Sequence, residues 1–119
     1  MAKEAAPQSA GFKALEAIAA RFAALEVRRP GTFQFQLTGD EGEDFALEVD
    51  SGLKVKSTAG RSQRMPRNLV TGDGKQVRMI LEGKRDASVA FLAGAVQFRG
   101  DIRYLERVLH ELKLLKSRE

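Results

Sequence analysis

The chain contains no cysteine and a single histidine, His110. Without thiols there is no disulfide framework, no Cys-based zinc site and no thiol redox centre, and one imidazole cannot supply a His-rich metal site. The absence of cysteine suits a reducing cytoplasm, which is the expected location. Long hydrophobic runs are missing as well. No uninterrupted stretch approaches the ~20 residues of a membrane span, and the N-terminal MAKEAAPQSAGF lacks the apolar core of a secretory signal. Lys116-Ser117-Arg118-Glu119 is not the Ser-Lys-Leu peroxisomal address. The motifs of catalysis are equally scarce. His110 would be the natural general base of an enzyme, but there is no Gly-x-Ser-x-Gly elbow and no glycine-rich loop with a P-loop lysine to go with it. Gly72-Asp73-Gly74-Lys75 is too short for a phosphate cradle and is explained by a turn and a helix cap. The expectation is a protein that is not an enzyme, with no cofactor, no catalytic residue and no metal.

At 119 residues the chain fits one domain, since compact domains cluster at roughly 100–150 residues. Residues 1–10, where Pro7, Gln8 and Ser9 interrupt an Ala-rich start, are expected to be a flexible leader, and 11–116 the single domain. The net charge of +4 is unevenly spread. Asp40, Glu41, Glu43, Asp44, Glu48 and Asp50 crowd one stretch without a base, and Lys54, Lys56, Arg61, Arg64 and Arg67 follow without an acid. The surface should be polarised. The acidic stretch lacks the Asp-x-Asp-x-Asp-Gly spacing and distal Glu of a calcium loop, so it is read as a solvated hairpin turn.

Hydrophobic periodicity divides the rest. Phe12, Leu15, Ile18, Ala19, Phe22 and Leu25 recur at helical spacing, predicting a helix over 11–27 that Pro30 and Gly31 end. Period two then takes over: Phe33, Phe35 and Leu37 alternate with Gln34, Gln36 and Thr38, and Phe45, Leu47 and Val49 repeat the alternation. With Leu53-Lys54-Val55-Lys56 these make an antiparallel meander with one apolar and one wet face. Thr58–Asn68 has no apolar period and reads as a crossing loop; Leu69-Val70-Thr71 is a fourth strand. Asp73 and Gln76 have capping-box spacing before Val77, Ile80 and Leu81, a short helix closed by Gly83. Asp86 caps a second short helix, 87–93, stopped at Gly94. Val96 and Phe98 form a fifth strand, and after Gly100-Asp101 the stripe Ile102, Leu105, Val108, Leu109, Leu112, Leu115 predicts a helix to about Lys116. The order helix, three strands, crossing loop, strand, two helices, strand, helix implies an α+β sheet covered by helices.

The segment Leu81–Asp101 resembles the sterol carrier protein 2 family. Leu81, Gly83 and Lys84 stand where that family has a Leu-x-Gly-Lys helix end, Ala90 and Phe91 at its Ala-Phe pair, Gly94 before the last strand, and Gly100-Asp101 at the start of the closing helix. The family often has Leu-Asp-Pro where this chain has Arg85-Asp86-Ala87, and often a lysine where Ala95 stands. Beyond that segment the order of elements is similar over about residues 11–115. The resemblance implies a five-stranded mixed, mainly antiparallel sheet of the sterol-carrier type, covered by helices. Between sheet and helices it implies an apolar cavity holding fatty acids, fatty acyl groups, sterols or isoprenoid-like lipids.

Such binding requires no polar signature, since burying ~10 methylenes at about 0.8 kcal/mol each yields roughly micromolar affinity. The inward-facing set placed around the cavity is Phe33, Phe35, Phe45, Leu47, Val55, Ile80, Phe91, Phe98, Leu105, Leu109 and Leu112, residues whose periodicity equally suits a packed core. Lys54, Lys56, Arg61, Arg64 and Arg67 suit either an ordinary solvated surface or transient contact with anionic membrane headgroups. Nucleic acid is disfavoured as a partner, because no aromatic ring is interleaved with these bases. The alternative function is an accessory module with a protein partner, presenting a hydrophobic substrate to an enzyme complex such as one of quinone or lipid metabolism.

Overall fold

A computed structural model describes residues 9–115. Residues 1–8 of the expected leader, and Lys116 at the expected end of the last helix, lie outside the described residues. The elements run α1 (Ala10–Phe22), β1 (Gly31–Thr38), β2 (Asp44–Val49), β3 (Val55–Ala59), β4 (Asn68–Asp73), α2 (Gly74–Leu81), α3 (Ala87–Leu92), β5 (Val96–Gly100) and α4 (Ile102–Glu111). The strands form one sheet in the order β3-β2-β1-β4-β5. Only β1 and β4 are parallel; the other three pairings are antiparallel. The fold is α+β, with a mixed, mainly antiparallel sheet.

The registers place Phe33 beside Leu47 and Phe35 beside Phe45 and Val70, with Phe98 next along from Val70. These side chains share the inner face, which the helices cover. α1 lies over β2 and β3, α2 over β1 and β4, and α3 beside β5. Four short polar side chains start the helices. Ser9 accepts from Phe12 N, Asp73 from Gln76 N, Asp86 from Ser88 N and Asp101 from Tyr104 N, so each satisfies a backbone donor that the first turn leaves free.

Both long helices are shorter than their apolar stripes. α1 ends at Phe22, not near Val27, because Ala24 N and Leu25 N turn back to the carbonyls of Arg21 and Phe22. This tighter winding lets Leu25 and Val27 still pack on the core while the chain reverses toward β1. α4 ends at Glu111, where Lys113 N donates to His110 O and Leu114 N to Leu109 O in a Schellman motif. Lys113 takes the left-handed position, φ 62°, that glycine usually fills. Leu114 is thereby returned to the core, and Arg21 Nη2 donates to the freed Leu112 carbonyl. Leu53, expected to open the third strand, is instead a left-handed turn residue, φ 68°; Asp50 Oδ1 accepts from Gly52 N and Lys54 N to hold that turn.

The outer face of the sheet is not uniformly wet. Gln34, assigned by alternation to the solvent side, is buried. The crossing segment between β3 and β4 passes over it. Gln34 Nε2 donates to the carbonyls of Phe45 and Gly60 at 3.0 and 3.2 Å, and Oε1 accepts from Ser62 N at 2.7 Å. A fully hydrogen-bonded amide offsets the desolvation that would otherwise oppose its burial. Arg67 N then donates to Thr32 O, which brings the chain alongside β1 in the parallel direction.

Candidate apolar-ligand site

Two apolar spaces share a wall, one beneath the helices along the inner face of the sheet and one at its β5 edge. The inner one is a void of about 50 Å³ between the sheet, α1, α2 and α4, bounded solely by hydrocarbon and phenyl side chains. The outer one is an open groove of about 330 Å³ between α3, β5 and α4, floored by Phe91, Phe98, Ile102, Leu105, Leu109 and Leu115. Among the described residues, Ser88 and Glu106 are the polar side chains along it. Phe98, Leu105 and Leu109 belong to both linings. One layer of side chains therefore separates groove from void.

That layer follows from local geometry. On β5, Val96 and Phe98 alternate inward, and Gly94, φ 81°, ends α3 so that the strand starts directly below it. Phe91 of α3 consequently stacks on Phe98, with ring centroids 5.9 Å apart and planes 23° from parallel. On α4, Tyr104, Leu105 and Val108 are buried, whereas Ile102 and Leu109 lie about a quarter-turn round and face the groove. Leu114 O accepts from Ala87 N, joining the end of α4 to the start of α3.

Among the residues expected around a cavity, Phe33, Phe35, Leu47, Ile80, Phe98, Leu105, Leu109 and Leu112 line the inner void, and Phe91 joins Phe98, Leu105 and Leu109 in the groove. Phe45 and Val55 line neither. Phe45 is fully buried, edge-on to Phe12 at 6.0 Å and tilted against Phe35 at 5.2 Å, so it is packing between sheet and α1. Val55 sits on the far edge strand opposite Val49. Ile102 and Leu115 stood in the apolar stripe of α4, and Val96 in the alternation of β5, but periodicity alone did not mark them as groove or void residues.

The polar groups are engaged elsewhere. Arg61 pairs with Asp44 at 2.8 Å. Arg67 donates to Pro30 O, lies 3.5 Å from Asp101 and covers the Tyr104 ring at 5.5 Å. Lys54, Lys56 and Arg64 border a recess of about 460 Å³ with Glu48 and Asp50, at the opposite edge of the sheet from the groove. The expected basic patch is thus divided. Arg78 bridges Glu41 at 2.6 Å and Glu82 at 3.1 Å, and its guanidinium holds the Glu41 carboxyl below the usual carboxylate range. Burial raises the Tyr104 phenol above its ordinary value, against the opposing hydrogen bond from Arg29 N. His110 is exposed and lines neither space. Among the described residues no three His, Cys, Asp or Glu side chains are grouped to hold a metal ion, and no helix is long and apolar enough to cross a membrane.

No protein-family model matches the sequence, and no curated protein matches it. Solved structures do. The sterol carrier protein domain 2 of Helicoverpa armigera superposes with a TM-score of 0.69 at 16% identity, covering 93% of this chain and 94% of that one. Sterol carrier protein 2 from Aedes aegypti, solved in complex with the C16 fatty acid palmitate, gives 0.64 at 15% identity over 90% and 97%. A stereoselective inverting sec-alkylsulfatase from Pseudomonas sp. gives 0.53 at 22% identity, covering 75% of this chain but only 13% of the sulfatase. Taken with the sheet order and the apolar space beneath the helices, these likenesses show that the chain has the sterol carrier protein 2 fold.

Proposed function

We propose that the protein binds an apolar ligand with a hydrocarbon tail, such as a fatty acid, fatty acyl group, sterol or isoprenoid-like lipid, in the α3–β5–α4 groove, and carries it without chemical change in the cytoplasm. The observation that supports this most is the apolar wall of Phe98, Leu105 and Leu109 that groove and void share. The groove's volume falls in the range of small-molecule sites, ~300–1,000 Å³, whereas the void alone has room for only a few water-sized groups. A tail that outgrows the groove has an apolar continuation inward past Phe98 and Leu109. Both are only partly buried, so a rotamer change at either merges the two spaces. The palmitate held by the Aedes aegypti protein of the same fold supports a ligand of this class.

Displacement of a fluorescent fatty acid by palmitate, with native mass spectrometry of the loaded protein, tests this. A one-to-one complex and displacement at micromolar palmitate are expected; neither adduct nor displacement at tens of micromolar would exclude it.

A second role, presenting a hydrophobic substrate to an enzyme, is favoured by the same fold being a minor part of the sec-alkylsulfatase chain. A stoichiometric enzyme partner in a pull-down from native cells would support it; a lone lipid-loaded monomer would oppose it.

A further inference from the structure

The polar side chains of the α3–β5–α4 groove are one-sided in their chemistry. Among the described residues two of them border it, Ser88 of α3 and Glu106 of α4. Ser88 Oγ donates its one proton to Asp86 Oδ1 at 2.7 Å, which leaves the hydroxyl only lone pairs to offer a ligand. Glu106 is exposed and makes no hydrogen bond or ion pair among the described residues, and a carboxylate only accepts. Both groups therefore present acceptors, and neither presents a donor.

The donors that could have served an anionic headgroup are taken or turned away. Ala87 and Ile102, the first residues of α3 and α4, both border the groove, but Asp86 accepts from Ser88 N and Asp101 from Tyr104 N. Each helix start thus already carries its own carboxylate. Arg103 is exposed on α4, yet it stands about 100° round the helix from Ile102, whereas Leu105, Glu106 and Leu109 fall within about 60° of Ile102. It lies one turn from Glu106 and forms no ion pair with it. Arg99 follows Phe98 on β5 and so points to the opposite face of the sheet. A carboxylate headgroup entering the groove would meet the like charge of Glu106 and find no donor to receive it.

We propose that the groove selects an amphiphile whose headgroup donates hydrogen bonds, a long-chain amine ahead of a long-chain alcohol, and that Glu106 is the residue that sets this preference. An ammonium brings donors and a charge opposite to the carboxylate, a hydroxyl brings one donor and no charge, and a carboxylate brings neither. The selection rests on the proposed binding of a hydrocarbon tail and adds to it the chemistry of the head. Palmitate is then held by its tail alone, with its carboxylate left in water at the groove mouth. The net charge of +4 draws anions to the chain as a whole, so a preference for amines has to originate locally.

Competition of dodecylamine, dodecanol and dodecanoate against one fluorescent alkyl probe tests this, since the three share a tail and differ only in the head. At neutral pH and low salt, dodecylamine should displace the probe at about a tenth of the dodecanoate concentration, with dodecanol between them, and the gap should narrow at about 0.5 M salt. Glu106→Gln should bring amine and carboxylate within about threefold of each other and leave dodecanol within about twofold of wild type. Its urea midpoint should not move, because the side chain is exposed and unpaired among the described residues. Glu111→Gln, which removes the same charge from an exposed position of α4 outside the groove, should keep the wild-type ratio. Equal displacement by the three ligands would overturn the headgroup selection while leaving the binding of tails intact. So would an amine preference that survives Glu106→Gln, or one that Glu111→Gln abolishes equally. No displacement by any of the three would remove the tail binding on which the selection rests.

Discussion

Phe91 stacks on Phe98 across the boundary between α3 and β5, and this pair links the exposed surface of the molecule to the wall of its inner void. Because Phe91 is half exposed, its removal should alter binding more than folding. Phe91→Ala is expected to weaken palmitate displacement about tenfold, equivalent to roughly 1.4 kcal/mol, while the urea midpoint moves little.

Phe45 gives the opposite pattern. It is fully buried between Phe12 and Phe35 and touches neither apolar space, so Phe45→Ala should cost about 3–5 kcal/mol in urea unfolding. At temperatures where the variant stays folded, its palmitate affinity should remain within twofold of wild type. A large loss of affinity with the fold intact would place Phe45 in the site.

These two phenylalanines show what was legible in the sequence. Alternation correctly assigned Phe45 and Phe98 to the inner face, and Gly83, Gly94 and the aspartate caps located the ends of α2 and α3. Position along that face was not legible, because period two reports only a side of the sheet, and Phe45 and Phe98 differ in strand and in the helix above them. Gln34 escaped for a related reason. Its burial depends on where residues 60–67 cross, a contact far away in sequence that leaves its local pattern unchanged.

The end of α4 was illegible because its stop signal is a lysine. Lys113 holds a left-handed conformation that costs an L-residue about 1–2 kcal/mol and glycine almost nothing, although glycine loses more chain entropy on folding. Lys113→Gly should therefore stabilise the protein by roughly 0.5–1 kcal/mol, read as a higher urea midpoint. A loss of stability would contradict the Schellman geometry assigned to Leu109–Leu114.

Acid should loosen the β1–β2 turn from α2. Glu41 in the folded protein has a pKa below its usual 4.5, chiefly through its hydrogen bonds to Arg78. A group depressed in this way contributes fully above the unfolded value and loses its contribution as pH falls through the folded one. The difference in urea midpoint between wild type and Glu41→Gln should be present at pH 6 and shrink toward zero as pH drops below about 4. A difference that does not shrink at all on acidification would show that the pair acts through packing.

The central claim is the location of the ligand, and photolabelling tests it most directly. A fatty acid carrying a diazirine near the end of its tail, irradiated in the complex and mapped by peptide mass spectrometry, should label residues of α3, β5 and α4, with Phe91, Phe98, Leu105 and Leu109 at the centre of the footprint. Label confined to 53–67, beside the basic recess at the opposite edge of the sheet, would contradict it.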